Sequence, residues 1–234
     1  MTDYQAYPGQ AYLGQDGYGG EGQHAQDMMA FILRLRSQGL TDQKVLNAVS
    51  TLPRPLFVLP EFAEFAWRDL SLPIQCGQTI TPPVLAATMA ERLDVEPLHR
   101  VLEIGTGSGY LTAVLGRLAK RVLTLDRWRT LITEAEERLR AVTILNVTMM
   151  VADGSLGWRQ QAPFDRIVTT AAVPEVPSEL LDQLALGGRM IVPIGEAGRE
   201  QQLTMITRNA DGFVHVALMS IRAAAMLEGV ADRL

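Results

Sequence analysis

Ten residues, Val101-Leu102-Glu103-Ile104-Gly105-Thr106-Gly107-Ser108-Gly109-Tyr110, constrain this 234-residue chain more than any others. An apolar strand runs into a glycine turn, and the turn opens a helix. Glycine permits the tight turn and lets the backbone come close to a ligand. From there on, strands and helices alternate. Arg100–Ile104, Arg121–Leu125, Val147–Val151, Phe164–Thr170 and Arg189–Val192 read as strands. Gly109–Leu118, Trp128–Leu139 and Val176–Leu184 read as helices, the last ended by Gly187-Gly188. Such alternation predicts a parallel sheet covered on both faces, a doubly wound Rossmann-like α/β fold. After Gly198 the pattern changes. Gln202–Arg208 and Phe213–Ser220 flank Asn209-Ala210-Asp211-Gly212, which predicts a C-terminal antiparallel hairpin.

Ahead of the sheet the signals are helical. Met28, Met29, Ile32, Leu33 and Leu35 suit a helix that Gly39 stops, and Thr41 is placed to cap the next, with Val45, Leu46 and Val49 on its apolar side. Pro53 and Pro55 break the chain, and Phe57–Trp67 reads as a short helix and turns. Residues 69–83 read as an irregular loop, followed by a helix over Val84–Leu93 with Pro82 and Pro83 at its first turn. Residues 1–24 are rich in Gly, Gln and Tyr and poor in aliphatic side chains, so a disordered tail is expected there. Residues 25–234 are expected to form a single domain.

Composition narrows the partners. Apolar residues make up 47% of the chain, enough for a sizeable core. A net charge of -5 argues against a phosphate-backbone ligand. Cys76 is the sole cysteine, which excludes an intrachain disulfide, and His24, His99 and His215 lie too far apart in sequence to suggest a metal site. No secretory leader and no bilayer-length apolar run is visible. The expectation is a cytoplasmic monomer that binds neither nucleic acid nor membrane.

Electrostatics then choose among nucleotide-like ligands. The glycine spacing is G-x-G-x-G, not the G-x-G-x-x-G of dinucleotide folds. Glu103 stands two residues before the first glycine. A carboxylate there repels a pyrophosphate and suits a cationic amino acid end, as in S-adenosyl-L-methionine. Asp126, at the tip of the second strand of the alternating region, can accept from two ribose hydroxyls, and Asp153, at the tip of the third, can reach an adenine amine.

These residues resemble the cofactor motif of bacterial protein-L-isoaspartate O-methyltransferases. The resemblance extends to Leu72-Pro-Ile-Gln-Cys-Gly-Gln-Thr-Ile-Thr-Pro82, Arg54-Pro-Leu-Phe-Val58, Asp153-Gly-Ser-Leu-Gly157, Ala162-Pro-Phe-Asp165 and Gly187-Gly-Arg-Met-Ile-Val-Pro-Ile-Gly195. It covers about residues 30 to 220. It implies that Thr81, at the position of the family's active-site serine, is the catalytic hydroxyl. It also implies a cofactor set of Thr79, Ile80, Thr81, Glu103, Gly105, Gly107, Ser108, Gly109, Asp126, Arg127, Asp153 and Gly154. Thr81 could instead cap the helix that starts at Pro82. A second departure is Ile221-Arg-Ala-Ala-Ala-Met-Leu227, where the family has a Phe-Val-Pro-like run whose backbone helps hold the peptide.

The implied reaction is methyl transfer to the α-carboxylate of L-isoaspartyl residues in damaged proteins, followed by closure to a succinimide. Other readings stay open: a carboxyl methyltransferase for another peptide, or a cofactor-binding relative without turnover. A base-flipping nucleic-acid methyltransferase is disfavoured, because Thr81-Pro82-Pro83-Val84 lacks the acidic or amide head and the aromatic of that grip.

Overall fold

A computed structural model describes residues 21–231. The expected tail therefore lies outside the described residues except for its last four. Those four, 21–24, begin helix α1, Glu21–Ser37, which starts six residues before Asp27, the first expected helical residue. Gly39 follows the helix at φ 86°. Helix α2 spans Gln43–Ser50, and its N-cap is Asp42, not Thr41: the Asp42 carboxylate accepts from the backbone N–H of Lys44 and Val45. Thr41 instead donates its own N–H to Glu91 Oε1, 2.9 Å away. Two 3-10 turns follow, Arg54–Phe57 and Pro60–Phe65. The segment expected to be irregular contains a small antiparallel ribbon, β1 (Leu72–Pro73) with β2 (Thr79–Ile80), closed through Cys76 at φ 59°. Helix α3, Pro83–Leu93, begins as the two prolines require.

The sheet then builds from β3 (Arg100–Ile104), α4 (Tyr110–Leu118), β4 (Arg121–Asp126), α5 (Arg129–Ala141), β5 (Val147–Val151), β6 (Phe164–Thr169), α6 (Ser178–Asp182), β7 (Leu184–Ile194), β8 (Gln201–Asn209) and β9 (Gly212–Ile221). Its order is β5-β4-β3-β6-β7-β8-β9. The first five are parallel, and the last two turn back antiparallel as the expected hairpin. The chain leaves β3 toward β4 and later returns to β3's other side as β6. The loops after β3 and β6 thus diverge at a switch point, where an open α/β sheet leaves a crevice at its carboxyl edge.

Two expectations for β7 need correction. Helix α6 has only five residues, and Gly187-Gly188 does not end it but lies inside β7. The register explains why. Phe164 pairs with Leu184 and Arg166 with Arg189, so β7 carries extra residues opposite one on β6 and bulges. Gly187 takes φ 76° in that bulge.

The sheet faces are covered unequally. Val101, Val122, Val168 and Ile191 point to one side, where they join side chains of α1 through α5 in the main core. Leu102, Leu123, Ile167 and Met190 point to the other, where α6 supplies Leu180 and the connections supply Val173 and the partly buried Trp158. Glu103 and Thr124 alternate with the apolar residues and pair across β3 and β4, so both are buried under the five-helix layer.

Candidate functional site

A cleft opens along the carboxyl edge of the sheet, at the switch point. It is lined by Gly105 and Gly107 after β3, Asp126, Arg127 and Trp128 after β4, Gly154 after β5, and Thr170 and Ala171 after β6. The ribbon and the start of α3 form a second wall with Ser71, Gln78, Thr79, Thr81 and Pro82, and the C-terminal run from Ile221 to Leu227 forms a third. Of the expected residues, Thr79, Thr81, Gly105, Gly107, Asp126, Arg127 and Gly154 therefore share one cleft. Ile80, Glu103, Ser108, Gly109 and Asp153 do not line it. Ile80 packs into the core. Ser108 is buried in the turn, and its hydroxyl accepts from the Tyr110 N–H. Gly109 caps α4 at φ 87°, against Ala135 of α5.

The glycine turn is fixed by backbone needs. Gly105 takes φ 93°, and a Cβ there would collide with the Thr170 hydroxyl. That hydroxyl itself donates to the Gly105 carbonyl at 3.1 Å, tying the β3 and β6 loops together. Asp126 locks the other end of the turn. Its Oδ2 accepts from the Gly107 N–H at 2.9 Å, and its Oδ1 accepts from the Trp128 N–H at 2.9 Å. Burial raises the Asp126 pKa, and these backbone donors pull it back only in part. Each oxygen keeps acceptor capacity for a further donor.

Glu103 is wholly buried behind the turn. Its Oε2 accepts from the Thr112 hydroxyl at 2.5 Å, while its Oε1 has no partner. Burial pushes its pKa up to about 8, with the Thr112 bond opposing. Asp153 behaves differently. Partial burial alone would raise its pKa, but donation from the Ser155 hydroxyl and from the Gly229 and Ser155 N–H groups brings it below the ordinary range. Both its oxygens are engaged by the chain itself: Oδ1 by Ser155, and Oδ2 by Gly229 N–H at 2.6 Å.

Thr81 lines the cleft, and its side chain does not cap α3. The N-cap position falls on Pro82, without any side-chain cap bond. The segment after β9 crosses the mouth of the cleft as a strap. Ala172 N–H donates to the Ala224 carbonyl and Met226 N–H donates to the Ala172 carbonyl, each at 2.7 Å, and Ala231 N–H reaches the Arg127 carbonyl at 3.0 Å. Among the described residues no group of three or more His, Cys, Asp or Glu is placed to hold a metal ion.

Sequence reasoning missed Thr170, Ala171, Leu85 and Met89 as cleft walls, whereas the run Ile221–Leu227, read as standing at the peptide-holding position, does line the cleft. The first two follow directly from a strand end at the carboxyl edge. Pro82, at the N-cap of α3, and Leu85 and Met89 within it recur at helical spacing, a signal that was present but indistinguishable from core packing.

Comparison with known proteins places this geometry in a family. Protein-L-isoaspartate O-methyltransferase of Parvibaculum lavamentivorans is 48% identical over 208 residues, covering 88% of this chain and 94% of that one. Its counterpart in Xanthobacter autotrophicus is 46% identical over 214 residues, with 92% and 97% covered. A solved structure named protein-L-isoaspartate O-methyltransferase superposes with a TM-score of 0.76 at 26% identity, covering 88% of this chain and 67% of that one. A beta-aspartate methyltransferase from Plasmodium falciparum, solved in complex with S-adenosyl-L-homocysteine, shares the fold with a TM-score of 0.74 at 24% identity, over 85% and 97% of the two chains. With residues 26–225 matching its defining pattern, the chain belongs to the protein-L-isoaspartate(D-aspartate) O-methyltransferase family.

Proposed function

We propose that this chain transfers a methyl group from S-adenosyl-L-methionine to the α-carboxylate of L-isoaspartyl residues in damaged proteins, starting repair through a succinimide. The observation that carries the reading is the meeting of Thr81 with the β3, β4 and β5 loop residues in one cleft.

The residues present fit the cofactor. Glu103 Oε1 is a buried acceptor without a donor, and Asp126 has spare acceptor capacity at the cleft wall. On this reading Glu103 and the Gly105–Gly107 turn hold the amino acid end, and Asp126 the ribose. Gly154 borders the adenine, Asp153 fixes the turn beside it through Ser155 and Gly229, and Arg127, Thr79, Ile80, Ser108 and Gly109 shape the surroundings. When bound, the cofactor supplies a methyl carried on a sulfonium, already a strong electrophile.

The chain's own part is then small. An isoaspartyl carboxylate is ionised near neutral pH, so no general base is needed. Thr81 orients one carboxylate oxygen through its hydroxyl. The strap and the ribbon wall exclude water, which favours a step that neutralises a positive and a negative charge. Holding the two reactants in line supplies the rest. The family acts on isoaspartyl proteins, and the isoaspartyl peptide is read as the substrate here as well. Among the described residues no helix is long and apolar enough to cross a membrane. We read the chain as a cytoplasmic monomer, and its net charge of -5 argues against a phosphate-backbone partner.

Labelled methyl transfer tests the reading. An isoaspartyl peptide should be methylated and its aspartyl twin and an RNA should not. Equal labelling of both peptides, or labelling of RNA alone, would end it.

A further inference from the structure

Arg54 lies outside the cleft and is wholly buried. It opens the 3-10 turn Arg54–Phe57. Its Nε donates to the Ala66 carbonyl and its Nη2 to the Thr81 carbonyl, each at 2.7 Å. Its guanidinium carbon sits 4.3 Å from the centre of the Tyr110 ring, and Phe57 from the same turn meets that ring edge-on at 5.5 Å. Tyr110 is the first residue of α4, directly after the glycine turn.

This is an expensive way to fill space. Nη1 makes no well-formed hydrogen bond, Tyr110 and Asp69 offset the burial of the charge only in part, and an apolar side chain of similar volume would avoid burying a charge at all. What an apolar residue cannot do is span two carbonyls with one rigid planar fork. The Thr81 carbonyl is the one that matters. The residue before a proline has a restricted backbone, and a β-branched side chain has few χ1 rotamers. Thr81 precedes Pro82, so fixing its carbonyl leaves its hydroxyl few directions in which to point.

We propose that Arg54 is a positioning residue for methyl transfer. It holds the Thr81 carbonyl in fixed relation to the start of α4, and so aims the Thr81 hydroxyl at the acceptor carboxylate held against the cofactor turn. The proposal rests on the reading of Thr81 as the substrate-orienting hydroxyl.

The test is a double-mutant cycle in the full chain. Arg54→Lys keeps the charge but loses the fork, and Thr81→Val keeps the shape but loses the hydroxyl. Steady-state rates are measured with an isoaspartyl peptide and S-adenosyl-L-methionine, and S-adenosyl-L-homocysteine affinity by calorimetry. Arg54→Lys should lower kcat by at least about tenfold while S-adenosyl-L-homocysteine affinity changes less than about threefold. The double variant should be little slower than the slower single, because both losses act through one hydroxyl. Losses that multiply, an Arg54→Lys kcat within twofold of wild type, or a loss confined to ligand affinity would each overturn the proposal. Failure of the underlying reading looks different: Thr81→Val itself then turns over at the wild-type rate. Should Arg54→Lys not fold, Tyr110→Leu removes the ring face beneath the guanidinium. A several-fold kcat loss that merges with that of Thr81→Val supports the proposal, and an unchanged or multiplying kcat overturns it.

Discussion

At the scale of single residues, the site stores its chemistry as unsatisfied acceptors. Glu103 is the extreme case. With an ordinary carboxyl value of 4.5 and a folded value of about 8, it holds a proton in the native state that the unfolded chain has released. The folded state then binds more protons across that window, so stability falls as pH rises. The contribution is complete below 4.5 and lost on passing through about 8. Ligand-free protein should therefore melt at progressively lower temperature from pH 5 to pH 8, whereas Glu103→Gln should show a flatter profile. Thermal melts of the two proteins at each pH decide this, and parallel curves would show that Glu103 is not the titrating group. Asp126 was legible in the sequence because the end of a strand fixed its placement at the cleft wall, whereas Glu103 lies inside β3, wholly buried, and, contrary to expectation, does not face the cleft. The competing claims on Asp153 were not legible, because its partner Gly229 lies 76 residues away.

At the scale of elements, local chemistry decided what could be read in advance. The strands β3 to β6 are apolar runs bounded by turn residues, and their limits came out within a residue or two. The cap of α2 was missed by one position. Asp42 and Thr41 both have suitable side chains, and the choice was settled by Glu91 on α3, which accepts both of their N–H groups at 2.9 and 3.0 Å. Loss of the cap should be visible. Asp42→Ala should cost about 1 kcal/mol, or about 2–4 °C in Tm for a domain of this size. Because α2 takes no part in lining the cleft, kcat should stay within about twofold; a variant that melts normally but turns over slowly would contradict this placement. The Gly187-Gly188 pair was misread because a glycine pair signals a helix end and a strand bulge equally well. Only the mismatch in register between β6 and β7, a property of two strands together, separates them. The ribbon of β1 and β2 was missed for a similar reason, since two-residue strands carry no periodicity.

At the scale of the whole molecule, the cleft is closed by the segment that follows the last strand of the sheet. The strap leaves β9 at Ile221, bridges to Ala172, and ends with Gly229 on Asp153 and Ala231 on the Arg127 carbonyl. These contacts join the loops after β4, β5 and β6 across the cleft mouth. Ending the chain after Leu227 removes the last two of them. S-adenosyl-L-homocysteine should then dissociate several-fold faster, by stopped-flow displacement, with little change in far-ultraviolet circular dichroism; an unchanged off-rate would show that those residues are idle. The strap also sets a moment in the protein's life. A domain grows from its N-terminal end during synthesis, and here the glycine turn and Thr81 are complete long before the closing segment emerges. A nascent chain whose synthesis has not yet reached the strap thus carries an open, half-walled cleft.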